Sequence, residues 1–251
     1  MLLDHILPNP SAGWIVYVLL AIFVGAYVRG LTGFASSMLW VTSLSLALPP
    51  AAVVPMVLIF EVAASSGLLP AVWRDVDWKS MGWLLGGMAL ATPVGIYGLA
   101  TLPADTTRIV IAVTVLAAVV LISLGYSRTR PPGRPLSVGV GALSGVLNGT
   151  TGAGGMPVIL FYFVHGMRTH VSRASIIVYI MATDILGTGV MAGHGLITSD
   201  VLLRTALALP VIGLGILAGH ASFRRISADA VRRVALVCLA GLAAGLIVRS
   251  L

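Results

Sequence analysis

The sequence predicts an all-α polytopic membrane protein. Three observations predict it: charge is scarce, apolar runs follow one another along nearly the whole chain, and two glycine-rich breaks recur in matching positions. Of 251 residues, 58% are hydrophobic and 9% charged, and the mean hydropathy is +1.04. A soluble domain carries roughly 25% charged residues. A surface this poor in charge is solvated by lipid rather than water.

The net charge is +7, from 15 Lys and Arg against 8 Asp and Glu, and the cations lie mostly in short loops between apolar runs. That distribution is the positive-inside pattern of membrane proteins, not the basic face of a nucleic-acid binder, so no nucleic-acid partner is expected. Cys238 is the single cysteine and lies inside an apolar run. One thiol allows neither an intramolecular disulfide nor a thiolate pair for a metal or redox centre. No cofactor or metal is expected. The residues before Trp14 carry Asp4 and no Lys or Arg, so they lack the basic region of a cleaved signal peptide.

Ten apolar segments are expected, at 14–28, 34–48, 50–70, 80–102, 105–124, 136–149, 153–167, 171–193, 203–220 and 230–249. A spanning helix needs about 20 residues. The segments 14–28, 34–48, 136–149 and 153–167 fall short of that. They flank Arg29-Gly30-Leu31-Thr32-Gly33 in one case and Asn148-Gly149-Thr150-Thr151-Gly152-Ala153-Gly154-Gly155 in the other. These short pairs are either tilted spans or half-helices meeting at a re-entrant tip.

Sidedness follows from the cations. Placing Arg128, Arg130 and Arg134 in the cytoplasm and alternating loops along the chain puts eleven Lys and Arg inside and three outside, with Arg29 at a break. The 125–135 linker is then cytoplasmic and both termini face out, and the expected location is a bacterial-type plasma (inner) membrane. The linker divides a first repeat, 1–124, from a second, 136–251.

The second half echoes the first. Gly30-Leu31-Thr32-Gly33 aligns with Gly149-Thr150-Thr151-Gly152, 119 residues later, and Glu61 aligns with Asp184, 123 residues later. Each half has an odd number of crossings, so the halves lie in opposite orientations. Two inverted repeats with interrupted or re-entrant short helices at the start of each half are the architecture of secondary transporters, with the site near the midplane. The competing reading is that any two apolar helical stretches look alike.

The stretch Gly25–Ala35 around Arg29-Gly30-Leu31-Thr32-Gly33, and its partner Gly145–Pro157, resemble the TauE/SafE family of sulfite-exporter-like membrane permeases. The repeated layout extends the resemblance over nearly the whole chain. It implies export or uptake of small sulfur-containing anions such as sulfite or two-carbon sulfonates. The residues themselves indicate only a transporter and a site that suits an anion.

At membrane depth, unwound backbone is tolerated only against protein or a water-filled cavity. Half-helices starting near Phe34 and Ala153 would aim free N–H groups and a positive dipole end at that cavity. Gly30, Gly33, Gly149, Gly152 and Gly154 would let an oxyanion approach the backbone. Thr32, Thr150 and Thr151 hydroxyls and the Asn148 amide are further donors, and Arg29 offers a charge-assisted fork. Small residues also serve helix packing, and Arg29 could equally snorkel to the interface. Glu61 and Asp184 are the acids in the middle of apolar segments. Ionised there, each costs roughly 2.5–3.5 kcal/mol on insertion scales, which makes both candidates for proton coupling. The alternative is a protonated carboxyl in one interhelical hydrogen bond. His165, His194 and His220 fall near segment ends and suit the interface.

The chain is not expected to be an enzyme. It has no His-Glu-x-x-His helix, no Gly-x-Ser-x-Gly elbow and no Ser/Lys dyad, and its one lysine, Lys79, is in a loop. The expected partners are a small anion and the bilayer, with homo-oligomerisation left open. A passive anion channel and a carboxylate transporter remain the alternatives to an alternating-access carrier of sulfur anions.

Overall fold

The structure is a computed structural model and describes residues 12–32, 36–67, 69–124, 133–165, 168–222 and 228–250. Among these residues every regular element is helical. In chain order they are α1 (Ala12–Thr32), α2 (Ser36–Leu44), α3 (Pro50–Ser66), α4 (Leu69–Val72), a 3₁₀ turn (Trp73–Asp75), α5 (Trp78–Thr101), α6 (Ala104–Leu124), α7 (Arg134–Thr151), α8 (Gly155–Val164), α9 (Thr169–Gly193), α10 (Ser199–Ser222) and α11 (Ala228–Ser250). Six of these helices, α1, α5, α6, α9, α10 and α11, are long and apolar enough to cross a membrane.

Two expectations need correction. The segment 14–28 is not short: α1 is a 21-residue helix, and the short helix of the first half is its second element, the nine-residue α2. The second half repeats this, with an 18-residue α7 before a ten-residue α8. Arg29–Thr32 and Asn148–Thr151, expected as unwound, are the last turns of α1 and α7. The physical reason lies in the side chains. Threonine hydroxyls bond back into their own helices, Thr32 to the Val28 carbonyl at 2.9 Å, Thr150 to Val146 at 2.9 Å and Thr151 to Leu147 at 2.7 Å. The glycines pack against neighbouring helices instead of breaking their own. The second break is Gly152–Gly154. Gly152 caps α7 with φ 68° and donates its N–H to the Asn148 carbonyl, the left-handed cap that favours glycine. Gly33 lies outside the described residues.

Packing follows a recurring scheme. α1 packs on α10, α5 on α7, α6 on α11 and α3 on α9. In the α1/α10 seam, Gly215 lies against Phe23 and Ala26 and Gly219 against Tyr27 and Gly30. In the α5/α7 seam, Leu84 meets Gly141, Met88 meets Gly145 and Thr92 meets Gly149. Residue numbers rise together along both seams, so each pair runs parallel. Small residues at such seams let backbones approach where lipid offers no hydrophobic drive. Both α5 and α10 also carry an internal proline, Pro93 and Pro210.

Side-chain contacts fix which ends meet. The start of α1 reaches the end of α2 through Tyr17, whose hydroxyl donates to the Ser43 carbonyl at 3.0 Å. Arg108 at the start of α6 donates from Nε to the Ser45 carbonyl at 3.0 Å, and Arg249 at the end of α11 donates to the Leu46 carbonyl. These ends share what we term the α1 face. The starts of α5 and α7 share the opposite, α7 face, where the Arg134 guanidinium stacks 5.4 Å from the Trp83 ring. α1 and α7 therefore run in opposite directions.

Helix α3 is apolar on all sides, with Val53, Val54, Met56, Val57, Leu58 and Phe60 buried. A helix hydrophobic all round belongs inside protein, and α3 is held against α2, α9 and α10. The outer helices instead expose residues such as Leu90, Leu217, Val237 and Val248, the side chains a bilayer solvates. The two buried acids sit on the central pair, Glu61 on α3 and Asp184 on α9.

Candidate functional site

Each central acid is met by a polar side chain from the last turn of the first helix of its own half. In the first half this is Arg29. Its Nη1 forms an ion pair with Glu61 Oε2, its Nη2 donates to Ser65 Oγ at 2.6 Å, and Nη1 also reaches Ser36 Oγ at 3.4 Å. Ser36, at the first position of α2, donates to the other Glu61 oxygen. Arg29, Ser36, Glu61 and Ser65 are all at most 2% exposed, so Arg29 does not snorkel to the interface.

In the second half, Asn148 takes the place of Arg29. Its Nδ2 donates to Asp184 Oδ1 at 3.1 Å, and its Oδ1 accepts the Gly154 N–H at 3.3 Å. Ser144, one turn earlier on α7, donates to the Gly154 carbonyl. The break is thus tied to the helix before it, and the amide holds the acid and the break together. Arg29–Glu61 and Asn148–Asp184 are the residues that the repeat alignment matches. The first pair is charged, and the second joins a neutral amide to a carboxyl.

The two pairs are neighbours. A Cβ on Gly152 would lie 3.5 Å from Val54 and 3.6 Å from Leu58 of α3, and Leu58 is one turn before Glu61. A Cβ on Gly187 would lie 2.7 Å from Leu58 and 3.4 Å from Asn148 Nδ2. Asp184 stands within electrostatic reach of both Glu61 and Arg29. Both pairs leave a buried polar atom unpartnered: Arg29 Nε in the first, Asp184 Oδ2 in the second, with Thr188 Oγ1 likewise unpartnered on α9. An unpaired buried donor or acceptor costs about 1–3 kcal/mol.

The remaining expected residues divide by location. Gly30 lies in the α1/α10 seam against Ile216 and Gly219, and Gly149 in the α5/α7 seam, where a Cβ would come within 2.6 Å of the Ile96 nitrogen. Thr150 faces the same seam and donates to the Gly95 carbonyl at 3.1 Å. Thr151 accepts the Ala153 N–H at 3.2 Å, which steadies the break. Gly154 packs on Asn148 and the Ser144 carbonyl. Thr32 bonds to its own helix. The sequence reading missed Ser36, Ser65 and Ser144. Ser65 carried a signal, since it follows Glu61 by four residues and so shares its helix face; Ser144 relates to Asn148 in the same way. Among the described residues no group of three His, Cys, Asp or Glu stands close enough to hold a metal ion.

The family model described as "Sulfite exporter TauE/SafE" matches residues 17–246. A Cupriavidus necator protein described as "Probable sulfite/organosulfonate exporter TauE" is 28% identical over 233 residues, covering 88% of this chain and 89% of that protein. No solved structure matches the chain significantly. The chain therefore belongs to the sulfite exporter TauE/SafE family, which makes it an integral membrane transporter rather than an enzyme.

Proposed function

We propose that the protein is a proton-coupled carrier of small sulfur-containing anions, sulfite or two-carbon sulfonates, that binds its cargo between Arg29–Glu61 and Asn148–Asp184. The observation that carries this reading is the pairing of a buried acid with an Arg or Asn at matched positions of the two halves, each pair with one unpartnered atom. The substrate class is supported by the family and by the C. necator relative's description.

Charge arithmetic links the anion to a proton. With Glu61 and Asp184 both ionised, one Arg29 leaves the cluster net negative, and an anion is repelled in a medium that screens poorly. Protonating one acid makes the cluster neutral, so one proton taken up with one anion leaves its net charge where it began. Arg29 Nε, unpartnered beside the ion pair, then offers an oxyanion a charge-assisted donor. Asn148, Thr151 and the break Gly152–Gly154 complete the proposed lining. Gly30, Gly149 and Thr150 set the helix spacing behind it, and Thr32 closes the last turn of α1.

The two halves, 1–124 and 136–251, are read as inverted repeats. Exchanging α1 with α7, α3 with α9, α5 with α10 and α6 with α11 leaves the packing scheme unchanged, and α1 and α7 run oppositely. Rocking one half against the other about the acid pair is the alternating-access motion such repeats support. The charge bias supports a cytoplasmic α7 face and linker, with both termini outside.

The test is uptake by the purified protein in liposomes with sulfite, sulfonates, sulfate and carboxylates. Saturable, counterflow-competent flux of sulfite or a sulfonate is expected. Non-saturating flux without counterflow would establish a channel, and preference for carboxylates would refute the substrate class.

A further inference from the structure

The two acids differ in what lies beside them. On α9, Ser175, Tyr179 and Thr183 recur every four residues and so form one face; all three are buried, at 0%, 0% and 1% exposure. The repeat alignment puts Ala52, Met56 and Phe60 at the same positions of α3. A row of buried hydroxyls thus runs along α9 on the N-terminal side of Asp184, and α3 carries no such row before Glu61, whose carboxylate is occupied by Arg29 and Ser36.

The row begins at the α7 face. Asp77, half-buried just before α5, accepts a hydrogen bond from Ser80, and the Ser80 and Tyr162 hydroxyls are 3.0 Å apart. Ser175 accepts the Asp77 N–H at 2.9 Å and stands beside the Tyr162 hydroxyl. Tyr162 is in turn a neighbour of Tyr179. The Tyr179 hydroxyl lies beside Ser144 and Thr183 without a hydrogen bond of its own, and Asp184 is within its electrostatic reach. Asp184 Oδ2 is likewise unpartnered. Thr183 Oγ1 donates to the Tyr179 carbonyl at 2.8 Å, so of this row the Tyr179 hydroxyl is left unpartnered, and an unpaired buried hydroxyl costs stability.

We propose that Ser80, Tyr162, Ser175 and Tyr179 form a proton path from Asp77 on the α7 face to Asp184. A proton from the aqueous phase reaches Asp77. Along the row each hydroxyl oxygen forms an O–H bond to the incoming proton as it releases its own, so the row gains and loses none. Asp184 Oδ2 forms the last O–H bond, and the carboxylate becomes a carboxylic acid. The groups facing Asp184 are Arg29 from α1, Glu61 from α3, Asn148 from α7 and Tyr179 from its own helix; at the mouth, Arg74, Asp75 and Lys79 are exposed. The path gives the α7 face proton access to one acid and leaves the other locked in its ion pair.

This rests on Asp184 as the coupling acid, but its test does not need transport. Infrared spectroscopy of the full-length purified protein after a pH jump follows the carboxylic-acid band, assigned to Asp184 by its loss in Asp184→Asn. Tyr179→Phe and Tyr162→Phe keep the rings and remove only hydroxyls. The expected result is that each slows the band's rise by roughly a hundredfold, the low end for loss of a positioned proton carrier, with unchanged final amplitude and, for Tyr179→Phe, whose hydroxyl has no partner to lose, an unchanged melting temperature. Wild-type rates in both variants, or no titrating Asp184 band at all, would overturn the path. If Tyr179→Phe slows the band while Asp184→Asn transports sulfite with unaltered pH dependence, the path stands and the coupling role of Asp184 falls.

Discussion

Arg29 and Glu61 hold each other in a space that water does not reach, and their mutual dependence makes single substitutions asymmetric. Removing one member of a buried ion pair leaves the other charged and unpaired, at a cost of about 3–5 kcal/mol. Glu61→Gln and Arg29→Gln should each lower the melting temperature in detergent sharply, and the double variant should recover much of the loss. Additive losses would show that the two side chains do not act as a pair. Asp184→Asn is a milder change, because its amide oxygen can still accept from Asn148 Nδ2. It should fold with a nearly unchanged melting temperature and lose the pH dependence of transport. Ser36 and Ser65, which complete the Arg29 cluster, should contribute less. Ser65→Ala should cost roughly 1.5–3 kcal/mol at most, the range for a hydrogen bond to a charged group.

At the scale of elements, the helices were legible in the sequence and their ends were not. Apolar runs place α5, α6 and α9 to α11 within a few residues, because length and hydropathy alone define a spanning helix. The breaks were harder. Glycine and threonine read alike whether they unwind a helix or let a neighbour approach, and only the partner helix decides. For Gly30 that partner is α10, for Gly149 it is α5, and both lie far away in sequence. The αL cap at Gly152 makes a local prediction. Gly152→Ala forces an L residue to φ 68° and should cost about 1–2 kcal/mol, whereas Gly149→Val should prevent α5 and α7 from seating at all. Thermal unfolding monitored by circular dichroism separates the two. A Gly149→Val protein as stable as wild type would contradict the seam.

For the molecule as a whole, the sequence revealed the matched acids and the matched breaks but not their connection. Arg29 and Glu61 are 32 positions apart and Asn148 and Asp184 are 36 apart, and no local pattern announces such pairs. The similar separation becomes informative only after the halves are aligned, and then it predicts that each half builds its own acid–donor pair. In the proposed mechanism these pairs form one site that takes an anion and a proton together. Calorimetry of a two-carbon sulfonate lacking an amine tests that claim most directly, since this ligand stays ionised and carries no proton of its own to the site. Titrations in buffers of different ionisation enthalpy report the protons taken up. We expect uptake of about one proton per anion bound by wild-type protein, as the charge balance of the acid pair requires, and loss of that uptake in Asp184→Asn. Binding of the sulfonate with no proton uptake in the wild type, or with the same uptake in Asp184→Asn, would contradict the account.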